Sequence, residues 1–287
     1  MVAGGWVLAL LLAAQAAPVA GVEPLVDQVG AVVAVGPSAR IVTLAPDVTE
    51  LVFALGAGER VVAVAPHCDF PAAAAGRPRV QPGDAESVLA AAPDLVLAST
   101  AGNDPTVVQR LRSARVRVAT LDVTSCARLV EACHLLGALL GREADADTLA
   151  ESTARRCASA AQRAGRLPSR RALYVVWWDP LIVAAPGTFH DDLLRLAGLV
   201  NRAPAGAGRY PRLDPETLLD PTLDLVVAPD EGENRPLFAK LLTRPAGLRL
   251  ARGSLPVLWV PADPASRPGP RLPLALEALL AAREANP

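Results

Sequence analysis

Two glutamates occupy equivalent places in a phrase that the sequence contains twice. Glu86 follows Asp84 by two residues and Glu216 follows Asp214 by two, at an offset of 130 residues (216 − 86 = 130). An Asp at a helix N-cap accepts hydrogen bonds from backbone N–H groups, and a Glu in the first turn interacts with the helix dipole by about 0.3–1 kcal/mol. Two such carboxylates could also bind arginines of a partner through charge-assisted hydrogen bonds. The alternative is a purely structural role at the two helix starts.

Aromatic side chains are the second group that could contact a ligand. The aromatic fraction is only 3%, so each position is informative. Phe70 and Phe189 begin or end predicted loops, Trp178 leaves a predicted strand, and Tyr210 lies just ahead of the second glutamate. A large flat ligand would use such aromatic faces. Ordinary core packing is the alternative for Trp178 and Phe189.

The three histidines provide little for a resident metal site. His134 lies inside a predicted helix, where we expect it to pack. His67 and His190 lie in predicted loops, one in each half of the chain, and an imidazole from either half could ligate the metal of a bound ligand. A lone loop histidine is more often solvated, so we expect no resident metal, and a dedicated zinc carrier is disfavoured.

The repeated Asp-x-Glu phrase predicts two related structural units in the chain. A single lobe has no need for the same capped helix twice, so the sequence predicts an α/β protein with two Rossmann-like lobes, each with a central parallel sheet. Strands alternate with helices in both halves, which supports this fold class. The predicted strands cover residues 40–44, 61–64, 95–98 and 116–121 in the first half, and 172–177, 225–228 and 257–260 in the second.

Residues 125–166 carry no strand signal and separate the two halves. They predict two helices with a break near Gly141, the second helix being about 23 residues or ~35 Å long. A rigid joint of this kind, without a multi-strand hinge, predicts a largely preformed cleft. The predicted division is a signal peptide at 1–20, an N-terminal lobe at 21–124, connecting helices with the backbone helix at 125–167 and a C-terminal lobe at 168–287.

The first residues predict export. A nine-residue apolar run from Trp6 to Ala14 leads into Ala14-Gln15-Ala16, which is typical of a signal peptide and too short for a membrane span. No Lys or Arg precedes the run, so an uncleaved anchor is the alternative. We expect a periplasmic location. The net charge of −1 does not indicate a nucleic-acid-binding surface. We also expect the protein to be a monomer.

The chain has four cysteines, which would be in the oxidising environment of the periplasm. Cys68 lies in a predicted loop, and Cys126, Cys133 and Cys157 lie in predicted helices without C-x-x-C spacing. Buried thiols or one structural disulfide are both compatible with this pattern, and the sequence leaves the pairing open.

Motifs along almost the whole chain resemble one known family. They are similar to those of the helical-backbone (class III) periplasmic substrate-binding proteins of ABC importers for cobalamin, haem and ferric siderophores. The motifs are Arg40-Ile41-Val42-Thr43-Leu44-Ala45-Pro46 with Thr49-Glu50, the Asp84-x-Glu86 helix with Pro93-Asp94-Leu95-Val96, and Gly187-Thr188-Phe189 with Asp191-Asp192-Leu193-Leu194-x-Leu196-Ala197-Gly198. The resemblance implies a ligand held between the lobes and a dimeric permease, with its ATPase subunits, contacted through Glu86 and Glu216.

The cobalamin-binding members are the most similar. The His67-Cys68-Asp69-Phe70-Pro71 loop and the segment with Asp263 and Arg267 resemble theirs. Tyr210 matches a position where they carry an aromatic residue, but the equivalent first-lobe position, six residues before Glu86, is Val80 instead of Trp. The resemblance therefore implies a corrinoid ligand contacted by Tyr210, Phe70, His67, Phe189, Trp178, His190, Asp263 and Arg267, with no resident cofactor.

Two alternatives stay open. Within the family, haem or a ferric siderophore could be the ligand, with Arg209, Arg212 or Arg267 near its acidic groups and His67 or His190 as an axial ligand. Outside it, a two-lobed α/β enzyme is the remote alternative. The chain has no G-x-G-x-x-G after a predicted strand, no Walker loop and no G-x-S-x-G elbow, so we expect capture without chemistry.

Overall fold

Two sheets, one entirely parallel and one mainly parallel, form two lobes, as the repeated phrase predicted. The structure is a computed structural model that describes residues 23–286, so the predicted signal peptide lies outside the described residues. The first sheet has the strand order Val61–Val64, Ile41–Thr43, Leu95–Ser99, Val118–Leu121. The second has the order Val257–Pro261, Leu225–Asp230, Arg170–Trp178, Leu181–Val183, the last of these antiparallel, and Leu199–Asn201 pairs parallel to Arg170–Trp178. The predicted two-lobed α/β fold is confirmed.

The N-terminal lobe begins with a two-stranded antiparallel hairpin and continues with alternating strands and helices. All strand pairs of its four-stranded sheet are parallel. Its elements are β1 Leu25–Val26, β2 Val32–Val33, β3 Ile41–Thr43, α1 Pro46–Ala54, β4 Val61–Val64, α2 Ala72–Ala75, α3 Ala85–Ala90, β5 Leu95–Ser99, α4 Pro105–Ser113 and β6 Val118–Leu121.

Two long helices connect the lobes. They are α5, Cys126–Leu140, and α6, Glu143–Ala164, which has 22 residues. Gly141 ends α5 in the left-handed conformation with φ of 62°, which glycine adopts at little cost. The break and the length of the second helix agree with the prediction.

The C-terminal lobe repeats this alternation and adds elements that the sequence did not indicate. Its strands Leu181–Val183 and Leu199–Asn201 and its short helices after residue 230 were not predicted. The elements are β7 Arg170–Trp178, β8 Leu181–Val183, α7 Phe189–Leu196, β9 Leu199–Asn201, a 3₁₀ helix Pro215–Leu219, β10 Leu225–Asp230, α8 Asn234–Leu242, α9 Leu248–Ala251, β11 Val257–Pro261, α10 Ala262–Ser266 and α11 Leu272–Glu284.

A single apolar core joins the lobes through the connecting helices. It includes Leu51 of α1, Leu136 of α5, Ala160 of α6, Leu194 of α7 and Leu276 of α11, all of them buried. A close-packed core of this kind resists relative movement of the elements that share it. The structure therefore supports a rigid joint at the connecting helices.

A disulfide reinforces the two connecting helices. Cys126 at the start of α5 is bonded to Cys157 in α6, across a sequence separation of 31 residues. Cys68 and Cys133 are free and buried. Both alternatives that the sequence left open, a structural disulfide and buried thiols, therefore occur in the same chain.

The two copies of the repeated phrase are capped in the same way, although one begins an α-helix and the other a 3₁₀ helix. Asp84 caps α3 by accepting a hydrogen bond from the Glu86 N–H at 3.0 Å, and Asp214 caps the 3₁₀ helix by accepting one from the Glu216 N–H at 2.9 Å. The helix α1 has no side-chain cap of this kind. Asp47 lies inside that helix, Ala45 is the N-cap residue, and the buried Asp47 carboxylate accepts a hydrogen bond from Ser99 instead.

Among residues 23–286, no helix is both long enough and apolar enough to cross a membrane.

Candidate functional site

Three adjoining cavities lie along the cleft between the lobes. The N-lobe cavity has a volume of about 440 Å³, the C-lobe cavity about 210 Å³, and a small cavity lined by both lobes about 30 Å³. Ala101, just after β5, lines the C-lobe cavity and the small cavity, and the next residue, Gly102, lines the N-lobe cavity. The N-lobe cavity is lined by Leu44, Ala45, Pro46, Ala65, Pro66, His67, Gln81, Pro82, Gly83 and Gly102, which come from the carboxyl ends of β3, β4 and β5 and from the loop before α3. Ligands of open α/β sheets bind outside these strand ends.

The C-lobe wall of the cleft is a stack of aromatic rings. The His190 ring lies 3.7 Å from the Phe189 ring and 4.3 Å from the Tyr174 ring, measured between centroids. Tyr210 meets His190 edge to face at 5.7 Å, with its hydroxyl 3.5 Å from His190 Nδ1. Because Tyr210 is 40% exposed and His190 only 4%, Tyr210 is the member of the stack that presents the most surface to the cleft.

This aromatic wall carries no charge at neutral pH. Burial lowers the pKa of His190 to about 3, so its imidazole is neutral. Burial raises the pKa of Tyr210 to about 12, and it raises the pKa of Tyr174 as well. A neutral, largely apolar wall with a few hydroxyl and ring-nitrogen groups suits a flat ligand with little net charge.

The N-lobe wall contains no aromatic residue at the expected position. Val80 is buried in the lobe core, where its N–H donates to the Val64 carbonyl oxygen, and the neighbouring Gln81 lines the cavity instead. His67 is exposed at the same cavity, with a left-handed φ of 64°. This wall therefore offers an amide and an imidazole in place of a second stacking face.

The predicted contacts Asp263 and Arg267 belong to an ion-pair network that crosses the lobe boundary. Arg267 contacts Glu50 at 3.3 Å and Asp69 at 2.7 Å, and it also reaches Asp263 at 3.4 Å. Arg271 binds both oxygens of Glu50, at 2.8 and 2.6 Å. These arginines already have protein partners. Sequence reasoning missed Glu50 and Arg271 as a pair, although Glu50 lies in a motif that carried the resemblance and Arg271 follows Arg267 by four residues.

Phe70 contacts the same network. The Arg271 guanidinium lies 4.0 Å from the centroid of its ring, in a cation–π arrangement. Phe70 is exposed on its other side.

A second ion pair joins the lobes beside the small cavity. Arg209 donates to Asp122 at 2.8 Å and to Thr100 Oγ1 at 3.2 Å, and Thr100 also donates to Asp122. Burial raises the pKa of Asp122, but the hydrogen bonds from Thr100 and Arg209 outweigh it and lower the pKa below its ordinary value. Arg209, adjacent to Tyr210, therefore holds the C-lobe rim against the N-lobe.

The prediction that Trp178 points into the cleft is wrong. Trp178 is 1% exposed and lies in a separate core of the C-terminal lobe, with its ring 4.9 Å from Phe238 and 6.1 Å from Trp259. The strand β7 continues to Trp178, so that this residue takes an inward register position where the sequence suggested a loop.

The two histidines lie at different cavities of the cleft. His67 lines the N-lobe cavity and His190 lines the C-lobe cavity, beneath Tyr210. Among residues 23–286, no group of three or more His, Cys, Asp or Glu side chains could hold a metal ion.

Glu86 and Glu216 are exposed at equivalent positions of the two lobes. The equivalence extends to the strands that follow. The Asp94 N–H donates to the Arg40 carbonyl oxygen and the Asp224 N–H to the Arg171 carbonyl oxygen, both at 2.9 Å. The two carboxylates are thus presented by matching frameworks. Within the described residues neither makes a salt bridge.

Comparison with known proteins identifies the family. The model of a family described as periplasmic binding protein matches residues 41–246. The chain belongs to the periplasmic binding protein family. This family consists of transport proteins without enzymatic activity, so the alternative of a two-lobed enzyme is set aside.

Relatives of the chain bind two kinds of ligand, according to their names. It is 26% identical over 250 residues to the vitamin B12-binding protein of Vibrio vulnificus strain CMCP6, covering 84% of this chain and 88% of that protein. The crystal structure of the periplasmic vitamin B12 binding protein of Vibrio cholerae has a TM-score of 0.75 at 23% identity, covering 87% and 98% of the two chains. The periplasmic heme-binding protein from Roseiflexus sp. RS-1 has a TM-score of 0.73 at 28% identity, covering 86% and 99%.

Proposed function

We propose that this protein is the periplasmic substrate-binding component of an ABC importer, and that it captures cobalamin or a related corrinoid between its lobes. The observation that carries the proposal is the uncharged aromatic wall of Tyr210, His190 and Phe189 at a cleft that both lobes line. The similarity to vitamin B12-binding proteins over 84% of the chain supports the same ligand class.

The chemistry of the cleft fits a corrinoid better than a strongly anionic chelate. A corrin ring is flat and partly apolar, with amide side chains around its edge, so it requires aromatic contact and neutral hydrogen-bonding groups. Tyr210 supplies the aromatic face, and Gln81 and the Tyr210 hydroxyl supply neutral polar groups. The arginines nearest the cleft are already paired with Asp122, Glu50 and Asp69, and an anionic ligand would have to displace these partners.

Haem is the second candidate ligand. Its support is the 28% identity to the Roseiflexus heme-binding protein, together with the position of Arg209 next to Tyr210. A phenolate could ligate iron and an arginine could bind a propionate. His190 is less suited to ligate the haem iron, because Tyr210 and Phe189 cover its ring.

An absorbance spectrum of the purified mature protein distinguishes these ligands. The protein is incubated separately with cyanocobalamin, haemin or a ferric siderophore and then desalted. Retention of corrinoid by the parent in a one-to-one ratio, with reduced retention by Tyr210→Ala, supports the proposal. Retention of haem or siderophore without corrinoid would keep the transport function and overturn the ligand.

Docking on the permease would use Glu86 and Glu216. Both are exposed at matching helix starts, and arginines on the two halves of a dimeric permease could bind them with charge-assisted hydrogen bonds. The double variant Glu86→Gln/Glu216→Gln should bind ligand as the parent does, and it should fail to stimulate ATP hydrolysis by the reconstituted transporter. Glu59→Gln, an exposed carboxylate on the N-terminal lobe, is the matched control. Full stimulation by the double variant would refute this role.

After export, the protein would act in the periplasm as a monomer and deliver its ligand to the permease. The shared core and the two connecting helices favour a largely preformed cleft, so that release follows from lobe movement imposed by the transporter.

A further inference from the structure

A buried carboxylate of the N-terminal lobe lies at the centre of the contact between the lobes. Glu50, in α1, has a side chain that is only 1% exposed, and its partners come from the C-terminal lobe. Arg271 binds it with two hydrogen bonds of 2.8 and 2.6 Å, and Arg267 adds a contact at 3.3 Å. Removing one partner of such a buried pair leaves an uncompensated charge, so the contact strongly favours one relative position of the lobes.

The same segment of the C-terminal lobe touches the N-terminal lobe at three further points. Arg267 contacts Asp69 at 2.7 Å, and Arg271 lies over the Phe70 ring. Gly269 lies so close to the backbone of α1 that an added Cβ would come within 3.3 Å of the Asp47 carbonyl oxygen. The segment 267–271 is therefore seated on the N-terminal lobe by charge, aromatic contact and close backbone approach together.

The position of this contact connects it to the ligand cleft. Pro46 begins α1, the helix that carries Glu50, and His67 lies two residues before Asp69; both line the N-lobe cavity. On the other lobe, Ser266 lines the C-lobe cavity and immediately precedes Arg267. The distance between the two walls of the cleft is thus set by residues adjacent to the ion pairs.

We propose that Glu50, Arg267 and Arg271 form an interlobe clamp that fixes the width of the cleft, and that Glu50 is a positioning residue for ligand binding. The proposal rests on the proposed function for its ligand-binding consequence. The clamp itself is a property of the protein without ligand. It acts together with the Arg209–Asp122 pair, so two separate ion-pair contacts hold the lobes before ligand arrives.

Glu50→Gln tests the clamp, because it removes the buried charge of Glu50 while both arginines keep other carboxylate partners. Arg267 keeps Asp69 and Asp263 as partners, and Arg271 keeps Asp263 at 3.7 Å. The matched control is Glu277→Gln, which removes an Arg–Glu pair with two hydrogen bonds of 2.7 Å between α6 and α11, away from the cleft. Thermal unfolding of both variants establishes that they are folded.

The first readout is the distance between the lobes without ligand. Spin labels at the exposed positions Arg110 in α4 and Arg252 after α9, introduced as Arg110→Cys and Arg252→Cys, report it by double electron–electron resonance, since the native free thiols are buried. The clamp predicts a longer and broader distance distribution in Glu50→Gln and an unchanged one in Glu277→Gln. Identical distributions in parent and Glu50→Gln overturn the proposal, whether or not a ligand has been found.

The second readout is ligand dissociation, with cyanocobalamin as the probe. Without the clamp the width of the cleft is no longer fixed, so the variant should release its ligand faster. Coupling between distant sites typically changes affinity by roughly 5- to 150-fold. We expect Glu50→Gln to dissociate at least roughly fivefold faster than the parent, and Glu277→Gln to match the parent. Equal dissociation rates in Glu50→Gln and parent, or equal acceleration in both variants, overturn the positioning role. If the parent retains no cyanocobalamin, the proposed ligand fails while the distance measurement still decides the clamp.

Discussion

Asp47 should make the stability of the protein depend on pH in a direction opposite to that of most carboxylates. It is 3% exposed within α1, and Ser99 Oγ donates a 2.5 Å hydrogen bond to its carboxylate. Burial raises its pKa from 3.8 to about 6, although the hydrogen bond from Ser99 opposes the rise. An aspartate whose folded-state pKa is raised stabilises the fold below its unfolded pKa, and this contribution is lost as the pH rises through the folded pKa.

The expected magnitude follows from that shift. Each pKa unit corresponds to about 1.4 kcal/mol, so keeping Asp47 ionised in the folded protein above pH 7 costs about 3 kcal/mol. Asp47→Asn removes this cost, while its amide oxygen can still accept from Ser99. If the new side-chain N–H group has no hydrogen-bond acceptor, it lowers the free energy of unfolding by about 1–3 kcal/mol at every pH. The pH-dependent gain is therefore about 3 kcal/mol above pH 7 and disappears below pH 3.8.

Urea unfolding of the parent and Asp47→Asn at pH 8, 6 and 4 measures this gain. Other groups titrate alike in both proteins and cancel. Asp224→Asn is a control whose stability difference from the parent should stay constant between pH 8 and pH 4, because hydrogen bonds from Arg171 lower the pKa of Asp224 to about 2. Its stabilising contribution is present above pH 3.8 and is lost as the pH falls through about 2. A difference between parent and Asp47→Asn that is the same at pH 8 and pH 4 would refute the reasoning from burial.

Three further outcomes are expected. Tyr210→Ala should weaken corrinoid binding by about 1–3 kcal/mol in calorimetric titration, and Tyr210→Phe should stay within about 1 kcal/mol of the parent, because the ring face and not the hydroxyl makes the main contact; equal affinities for all three proteins would contradict the role of this ring. The double variant Cys126→Ser/Cys157→Ser should lose roughly 4 kcal/mol in urea unfolding, since the disulfide closes a separation of 31 residues, and an unchanged unfolding midpoint would contradict this. His190→Gln should reduce the loss of stability between pH 6.5 and about 3, where the buried, neutral His190 opposes protonation; an acid-unfolding curve identical to that of the parent would contradict the lowered pKa.

The architecture was predictable because local sequence features specify its helices and strands. The repeated Asp-x-Glu phrase marks two helix starts, and Gly141 marks the break between the connecting helices. These features depend on hydrogen bonds and backbone preferences within a few residues. The sequence left open the pairing of Cys126 with Cys157, because α5 and α6 meet side by side and that contact has no local signal.

The candidate site was less predictable because it depends on which side chains meet across the lobes. Trp178 and Tyr210 have the same kind of sequence environment, at the edge of a strand or loop, yet one is in the core and the other faces the cleft. Arg267 was expected at the ligand, but its partners Glu50 and Asp69 lie about 200 residues away in sequence. Long-range ion pairs of this kind leave no periodic trace in a single sequence.

Titration calorimetry of the mature protein with cyanocobalamin tests the central claim most directly. The account predicts saturable binding of one corrinoid per chain, with no second site. Absence of saturable heat with cyanocobalamin, together with one-to-one binding of haemin to the same preparation, would contradict it.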